Sequence, residues 1–272
     1  MHRRAAPLGL LRRGPGRPDK AEIRRARRAG APRNRRNAQV KALIFAAGLG
    51  TRLRPLTDDI PKALVEVGGV PMLELVMRRL AAAGAGEFVI NTHHFHDKIE
   101  AFLRSRNNLG FKIELSREEN APLETGGGLK KAAAFFKDGE PFFAYNSDVY
   151  SEMDLGGLYA AHLASGALAT LAVRDRPSKR RLLFDGAMKL KGREGDLPKP
   201  GLLPLAFSGI QVISPALLPR ITEDGIFSVT AVYLRLAAAG EIIKGFEDKS
   251  PFWSDIGDPE RLQAVRARAA LK

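Results

Sequence analysis

The sequence contains no cysteine, and this absence excludes a disulfide, a thiolate nucleophile and a cysteine-ligated zinc site. It also lacks an apolar run of the roughly 18 residues that a membrane-spanning helix needs, and residues 8–11 are too few for the core of a signal peptide. We therefore expect a soluble protein of the cytoplasm. The 272 residues are 44% hydrophobic, enough for one large α/β domain or two small ones, and without an internal repeat we expect one.

The positive charge is concentrated at one end of the chain. Residues 1–40 carry 12 arginines and one lysine against two acidic residues, a net charge of +11, so the rest of the chain holds only +3 of the formal +14. No aromatic side chain that could stack on a base lies among these arginines. We expect residues 1–39 to be a disordered basic extension, or sequence upstream of the true start codon, followed by a single domain over 40–272. The alternatives are a tail that binds RNA, DNA or an anionic membrane, and an organelle transit peptide.

Apolar runs alternate with helical repeats after residue 40. Strands are expected at 43–47, 63–67, 87–91, 111–116, 141–146, 168–174, 182–190, 205–213 and 241–246. Helices are expected at 71–83, 95–106, 129–136, 228–240 and 260–271. The alternation of strand and helix predicts a Rossmann-like, three-layer α/β fold with a doubly wound mixed sheet.

The first predicted strand ends abruptly at a glycine-rich loop, Gly48–Arg52. Its two glycines let backbone N–H groups approach an anion, and Arg52 and Lys62 can supply positive charge to a polyphosphate. A Walker A loop would end in Gly-Lys-Ser/Thr, and a dinucleotide fingerprint would have a third glycine in place of Leu53, so both motifs are absent. What remains is Gly-x-Gly-Thr-Arg followed by Pro61-Lys62.

Two aspartates are candidate ligands for a metal. Asp148 follows the apolar strand 141–146, whose carboxyl end is where open α/β sheets bind ligands. A carboxylate in that position predicts contact with a cation, and a cap on the next loop is the alternative. Asp255 lies in a late Trp-x-Asp-x-Gly segment, and two aspartates with a nucleotide suffice for Mg²⁺. They lie 107 residues apart, so spacing alone does not pair them.

Three further segments contain candidate binding residues. The run Pro122–Gly128 ends in three glycines before a predicted helix, which predicts N–H groups free for a flat ligand edge, and a flexible loop is the alternative. The adjacent His93 and His94 would point in opposite directions on an extended segment, so we expect structural histidines rather than a shared metal site. The basic hairpin 179–181 would either contact phosphate or keep an edge strand soluble.

Together these segments resemble the sugar-1-phosphate nucleotidyltransferases, over about residues 41–271. Within that family the N-acetylmuramate-1-phosphate uridylyltransferases share the Pro-Leu-Glu-Thr-Gly-Gly-Gly run, the Asn-x-Asp-Val strand end, the Phe-Ser-Gly strand and the segment 253–262. One departure is Ser147, where a glycine is usual, and another is the region 179–200, which does not align cleanly.

The resemblance implies a role for each motif. The catalytic residues would be Arg52 and Lys62, with Lys62 bridging the nucleotide and sugar phosphates. The nucleotide would contact Ala46, Ala47, Gly48, Gly50, Thr51, Arg52 and Lys62, with Gly126 and Gly127 at the nucleobase edge. Asn146, Ser208 and Gly209 would face the sugar, and Asp148 and Asp255 would hold the Mg²⁺.

The expected reaction joins a nucleoside triphosphate to a sugar 1-phosphate. The resemblance implies that these are UTP and N-acetylmuramate 1-phosphate. The products are a nucleoside-diphosphate sugar and pyrophosphate. A GTP-dependent mannose-1-phosphate or heptose-1-phosphate guanylyltransferase is the first alternative. A catalytically silent sugar-nucleotide sensor is the second, and a nucleic-acid-binding protein led by the arginine tail is the third.

Overall fold

The computed structural model describes residues 40–196 and 200–271. The strands of this part are β1 (Val40–Phe45), β2 (Glu66–Val67), β3 (Val70–Pro71), β4 (Ala85–Thr92), β5 (Lys112–Arg117), β6 (Phe142–Asn146), β7 (Val149–Ser151), β8 (Ala169–Arg174), β9 (Arg181–Phe184), β10 (Leu190–Arg193), β11 (Leu203–Ile213), β12 (Ile243–Glu247) and β13 (Trp253–Asp255). Its α-helices are α1 (Met72–Ala82), α2 (His96–Ser105), α3 (Glu124–Ala132), α4 (Leu155–Ser165), α5 (Val229–Ala238) and α6 (Pro259–Ala269). None of the described helices is both long and apolar enough to cross a membrane.

Packing groups the chain from residue 39 onward as one unit. The predicted basic extension, 1–39, lies outside the described residues. That extension and its boundary with the domain therefore stay predictions.

Nine of the described strands form one mixed sheet. β6, β1, β4 and β5 lie side by side and parallel. On the other flank of β6, β11 runs antiparallel to β6, β8 and β9. β10 extends the sheet beyond β9, and β12 pairs in parallel with β8. The Rossmann-like α/β fold with a mixed sheet is thus confirmed.

β1 lies at the centre of the sheet and is buried on both faces. Leu43 and Phe45 belong to an apolar cluster that includes residues of α3 and α5, whereas Ala42 and Ile44 belong to a second cluster with residues of α1, α2 and α4. Because alternate side chains of a strand face opposite sides of the sheet, these two clusters are the interfaces of a three-layer fold. Burial on both faces explains why residues 42–45 of β1 form a continuous apolar run.

Three predicted elements differ from the structure. α3 begins at Glu124 rather than at residue 129, so glycines 126–128 lie inside the helix. The strand expected at 63–67 is reduced to β2, because Lys62–Leu64 form a 3₁₀ turn. The strand expected at 182–190 is divided between β9 and β10. The turns at 62–64 and 185–189 are closed by local hydrogen bonds, whereas the first turn of α3 also bonds to the distant Phe227. Each outweighs a local preference that is worth only about 1 kcal/mol per residue.

Candidate active site

A cavity of about 650 Å³ lies at the carboxyl ends of β1 and β6, the edge at which open α/β sheets bind ligands. We call it the first cavity. It is lined by nine of the predicted site residues: Ala46, Ala47, Gly48, Gly50, Thr51, Arg52, Lys62, Asn146 and Asp148. Pro122, Glu124, Thr125, Ile226 and Gly257 also line it. The fold therefore brings together the glycine-rich loop, the lysine and the strand-end aspartate.

The glycine-rich loop, 46–52, packs on the lysine and leaves part of its backbone open. Gly50 has a φ of +67°, in the left-handed region that favours glycine, and a Cβ there would lie 3.2 Å from the Cβ of Lys62. By contrast, no atom lies within 4 Å of a Cβ position on Gly48, which is exposed. The loop can therefore accept an anion at Gly48, while the close packing of Gly50 on Lys62 holds the loop in place.

Lys62 and Asp148 form an ion pair in the wall of the first cavity. The Lys62 ammonium donates a hydrogen bond to Oδ2 of Asp148. The lysine side chain is 12% exposed and the aspartate side chain 28% exposed, so solvent screens this pair less than it screens a surface pair. A fixed positive charge therefore lies beside the strand-end carboxylate.

The two candidate metal ligands lie on neighbouring backbone segments. β13 runs antiparallel to β7 and pairs Asp255 with Val149. The Ile256 N–H donates to the carbonyl oxygen of Asp148 at 2.9 Å. The sequence did not predict this two-stranded ribbon. It brings the backbones at Asp148 and Asp255 side by side, a relation that their spacing along the chain did not indicate.

Asp255 is held by groups on both sides of its carboxylate. Arg261 donates from one guanidinium nitrogen to both carboxylate oxygens, at 2.9 and 2.7 Å, and this hydrogen-bonded carboxylate raises the pKa of Arg261. The Gly257 N–H donates to Oδ1 of Asp255 at 2.7 Å. A Cβ on Gly257 would lie 2.3 Å from that oxygen and 3.0 Å from the guanidinium of Arg52. Glycine at 257 therefore lets the loop arginine and the late aspartate approach the same backbone.

Asp148 and Asp255 fit a magnesium ion that also binds substrate phosphates. Mg²⁺ prefers carboxylate, phosphate and water oxygens and is usually bound by one or two carboxylates. Both side chains are partly exposed, at 28% and 21%, and Lys62 and Arg261 balance their charges. The chain thus supplies two oxygen ligands and leaves the remaining positions to substrate and water.

The paired histidines do not form a metal group of this kind. His93 Nδ1 lies 2.7 Å from the carbonyl oxygen of Glu118, which is a structural contact. In residues 40–196 and 200–271, the one group of three potential metal-binding side chains is His96, Asp97 and Glu100 on α2. The position of His93 therefore agrees with a structural role.

The expectation that Gly126 and Gly127 keep free N–H groups is wrong in this structure. Both amides donate to the carbonyl oxygen of Phe227, at 2.9 and 3.3 Å. A Cβ on Gly126 would lie 2.3 Å from the Phe227 ring, and one on Gly127 would lie 2.7 Å from the Gly225 carbonyl oxygen. The glycines allow the segment 225–227 to pack closely on α3, and neither of them lines the cavity.

The three residues expected to face a sugar occupy different positions. Asn146 ends β6 and lines the first cavity. Gly209 has a φ of +76°, and a Cβ there would lie 2.8 Å from Nδ2 of Asn146. Ser208 is 1% exposed, and its carbonyl accepts a hydrogen bond from the Trp253 indole at 3.0 Å. Ser208 and Gly209 thus lie outside the lining of both cavities. Gly209 packs against Asn146, and Ser208 accepts the hydrogen bond of Trp253.

A second cavity, of about 640 Å³, adjoins the first. The two share Glu124, Thr125 and Asn146. The rest of the second cavity is lined by Arg176, Ser178, Arg180, Leu182, Arg193, Phe207, Ser228 and Thr230. The sequence indicated its basic hairpin and Asn146 but not Arg176 and Arg193, because Arg176 follows β8, Arg193 ends β10, and nothing in their spacing joins them.

Arg176 connects this second cavity to the ribbon that holds Asp255. Its guanidinium lies 4.1 Å from the centre of the Trp253 ring, and it donates to the Phe207 carbonyl oxygen at 3.0 Å. Burial lowers the pKa of Arg176, and Arg261 and Arg174 lower it further, while Asp255 opposes them. The guanidinium therefore lies in surroundings that an additional anion would stabilise.

Comparisons with known proteins agree with this geometry. Residues 41–189 match the family model described as nucleotidyl transferase. The chain is 35% identical over 243 residues to the N-acetylmuramate alpha-1-phosphate uridylyltransferase of Caulobacter vibrioides, covering 84% of this chain and 96% of that protein. It is 34% identical over 227 residues to the mannose-1-phosphate guanyltransferase of Schizosaccharomyces pombe, covering 81% of this chain and 62% of that protein.

The fold is also similar to solved structures. The UDP-glucose pyrophosphorylase of Acinetobacter baumannii superposes with a TM-score of 0.70 at 18% identity, covering 86% of this chain and 94% of that one. Members of the nucleotidyl transferase family generally use a divalent metal, for which Asp148 and Asp255 fit. The chain therefore belongs to the nucleotidyl transferase family and is a sugar-1-phosphate nucleotidyltransferase.

Proposed function

We propose that the enzyme transfers the uridylyl group of UTP to N-acetylmuramate 1-phosphate, with Mg²⁺ as its divalent metal. The products are UDP-N-acetylmuramate and pyrophosphate, which places the enzyme in cytoplasmic nucleotide-sugar supply to the cell wall. The observation that carries this proposal is the arrangement of Arg52, Lys62 and Asp148 around one cavity, with Asp255 on the adjacent strand. The choice of UTP and of this sugar rests on the relative from Caulobacter vibrioides.

The reaction needs no protein nucleophile. An oxygen of the sugar phosphate, already ionised at neutral pH, attacks the α-phosphorus of the nucleotide, and the bond to the bridging oxygen breaks as pyrophosphate leaves. The protein has to align the two substrates and stabilise negative charge in the transition state. We assign the backbone at Gly48 and the guanidinium of Arg52 to the triphosphate, and Lys62 to the phosphates that meet at the reaction centre. A bound Mg²⁺, held by Asp148 and Asp255, would neutralise charge on the phosphates.

We assign the nucleobase to the part of the first cavity lined by Pro122, Glu124, Thr125 and Ile226. This segment begins at a fixed point, because the buried Glu118 accepts a hydrogen bond from the Leu123 N–H at 2.8 Å. Gly126 and Gly127 do not contact the base in this assignment. They shape its pocket by letting segment 225–227, which includes Ile226, pack closely on α3. A pocket wall of this composition does not by itself distinguish a pyrimidine from a purine, so the base must be measured.

Pyrophosphate release from a matrix of substrates tests the proposal. UTP, GTP, CTP and ATP are each combined with the 1-phosphates of N-acetylmuramate, mannose, glucose, N-acetylglucosamine and heptose in the presence of Mg²⁺. The expected result is the highest kcat/KM for UTP with N-acetylmuramate 1-phosphate. A maximum for GTP with mannose 1-phosphate would support the function named for the yeast relative instead. Absence of turnover by folded protein that binds UTP would leave a sugar-nucleotide sensor.

A further inference from the structure

We propose that the second cavity holds the sugar ring and that Arg180 and Arg193 bind a carboxylate carried by that sugar. This inference rests on the proposed function and goes beyond it, because it assigns residues and a chemical class of substrate to the second cavity. The enzyme would then prefer an acidic sugar 1-phosphate to a neutral one of the same size. N-acetylmuramate, which is N-acetylglucosamine with a lactyl ether, carries such a carboxylate.

The position of the cavity follows from the substrate's own geometry. A sugar 1-phosphate has to place its phosphate near Lys62 and Asp148 in the first cavity. The ring is joined directly to that phosphate, so it must extend into adjoining space. The second cavity provides that space beyond Asn146, and its volume of about 640 Å³ lies in the ordinary range for a small-ligand site.

The charge of the second cavity favours an anion. Three guanidinium groups line it, those of Arg176, Arg180 and Arg193, against the one carboxylate of Glu124. In the described part of the chain, neither Arg180 nor Arg193 forms an ion pair with a carboxylate. The Nε atoms of Arg176 and Arg193 are buried and have no hydrogen-bond partner among the described residues. Buried donors without a partner are costly, so the fold leaves the hydrogen-bonding capacity of two of the lining arginines incompletely used.

Arg181, in the same hairpin, shows what a structural arginine looks like in this protein. It forms an ion pair with Asp175 at 3.0 Å and a second one with Glu194 at 3.8 Å. It also donates to the carbonyl oxygen of Pro204 at 3.0 Å. Arg181 does not line the second cavity, whereas its neighbour Arg180 does. The hairpin thus contains one arginine that is used by the fold and one that is left for a ligand.

The apolar part of the lining favours a carboxylate on a short hydrocarbon arm over a second phosphate. Leu182 and Phe207 line the same cavity as the arginines, so a ligand with one apolar and one charged group would be matched on both sides. A lactyl group has this composition, with a methyl group beside its carboxylate. Guanidinium also binds carboxylates in a two-pronged geometry that a lysine cannot reproduce.

Binding of the product tests the proposal without depending on turnover. The dissociation constants of UDP-N-acetylmuramate, its lactyl methyl ester and UDP-N-acetylglucosamine are measured by calorimetry on the full chain. We expect the free acid to bind about 30-fold or more tightly than either compound without the lactyl carboxylate, as two charge-assisted contacts would give. Arg180→Gln and Arg193→Gln should each reduce this ratio about 10-fold, while Lys179→Gln, in the same hairpin but outside the lining, should leave it unchanged.

The outcomes separate this inference from the proposed function. A ratio near one for the wild-type protein, or a ratio that the double variant Arg180→Gln/Arg193→Gln leaves unchanged, overturns the carboxylate site even if UTP and sugar 1-phosphates are turned over. A high ratio that the two variants abolish supports the site, even if no pyrophosphate is released. Failure of all three compounds to bind overturns both.

Discussion

The two cavities share Asn146 but are charged in different ways. At the first, Asp148 already has Lys62 beside it, and Asp255 on the adjacent strand already has Arg261. In the second, Arg180 and Arg193 have no carboxylate partner among the described residues. A site that must hold a metal and a triphosphate needs groups fixed in advance, because reorganising them during the reaction costs rate. A site that selects a ligand by charge instead needs a charge left unpaired until the ligand binds.

The family match covers different shares of the two cavities. It covers residues 41–189, which include the loop, Lys62 and Asp148 and end before Arg193. Most of the lining of the first cavity comes from the matched segment, and Ile226 and Gly257 come from beyond it. The second cavity takes a larger part of its lining from beyond that segment, namely Arg193, Phe207, Ser228 and Thr230.

The largest effect is expected in the first cavity, from Asp148→Asn. Losing the charge that holds a hard cation should lower kcat about 1000-fold and raise the Mg²⁺ concentration required. The loss should be equal for acidic and neutral sugar 1-phosphates, because this carboxylate does not contact the sugar substituent. Asp224→Asn is the matched control, since that side chain is 89% exposed. A magnesium titration that the first variant leaves unchanged would rule out Asp148 as the ligand.

Lys62→Ala should lower kcat/KM at least about 100-fold, because it removes a positive charge from the transition state. As with Asp148, the ratio of kcat/KM for an acidic sugar 1-phosphate to kcat/KM for a neutral one should stay the same. Variants of Arg180 and Arg193 should instead change this preference for the acidic sugar. Steady-state kinetics with an acidic and a neutral sugar 1-phosphate measure both quantities. Lys131→Ala, at an exposed position, is the control. Near-normal rates would remove Lys62 from the reaction.

Gly126→Ala probes the segment between the two cavities, since Ile226 lines the first and Ser228 the second. The added Cβ would lie 2.3 Å from the Phe227 ring, so we expect a loss of about 2 kcal/mol in the free energy of unfolding. Denaturant unfolding measures it. Gly156→Ala is the matched control within a helix, because its Cβ would meet its nearest atom at an ordinary 3.4 Å. Equal stability of the two variants would contradict the packing role of Gly126.

The last effect, similar in size to that of Gly126→Ala, concerns the half of the sheet that carries the second cavity. His162 on α4 contacts Thr170 Oγ1 in β8 and Ser214 Oγ after β11, at 2.9 and 3.1 Å. Burial lowers its pKa from 6.5 to about 4. Between these values the unfolded chain binds a proton that the folded protein does not, so stability should fall as the pH drops below 6.5 and level off below about 4.

We expect this group to remove about 2 kcal/mol of stability between about pH 7 and pH 5. Unfolding free energies measured across this range check it, with His162→Gln as the comparison. The variant should lose this part of the pH dependence. An identical slope in the two proteins would show that His162 is not the group responsible.

Local patterns were enough for several parts of the fold and the site. β1 is apolar on both faces because it is buried in the middle of the sheet, so its sequence alone predicts a buried strand. The loop after it needs glycine where φ is positive, at Gly50, and that requirement is also visible in the sequence. Asp148 follows a buried strand directly, which places it at the ligand-binding edge. These features depend on neighbours along the chain, so the sequence by itself determined them.

Long-range contacts decided the rest. The backbone of Asp255 lies beside that of Asp148 only because β13 pairs with β7, and a pairing of two three-residue strands leaves almost no signal in the sequence. The amides of Gly126 and Gly127 are occupied by Phe227, 100 residues or more away along the chain, which no local rule predicts. Arg180 and Arg193 are joined at one cavity by the folding of β8 to β11. Tertiary structure alone decided these features, because a local pattern does not specify which distant segment will satisfy a backbone amide or complete a site.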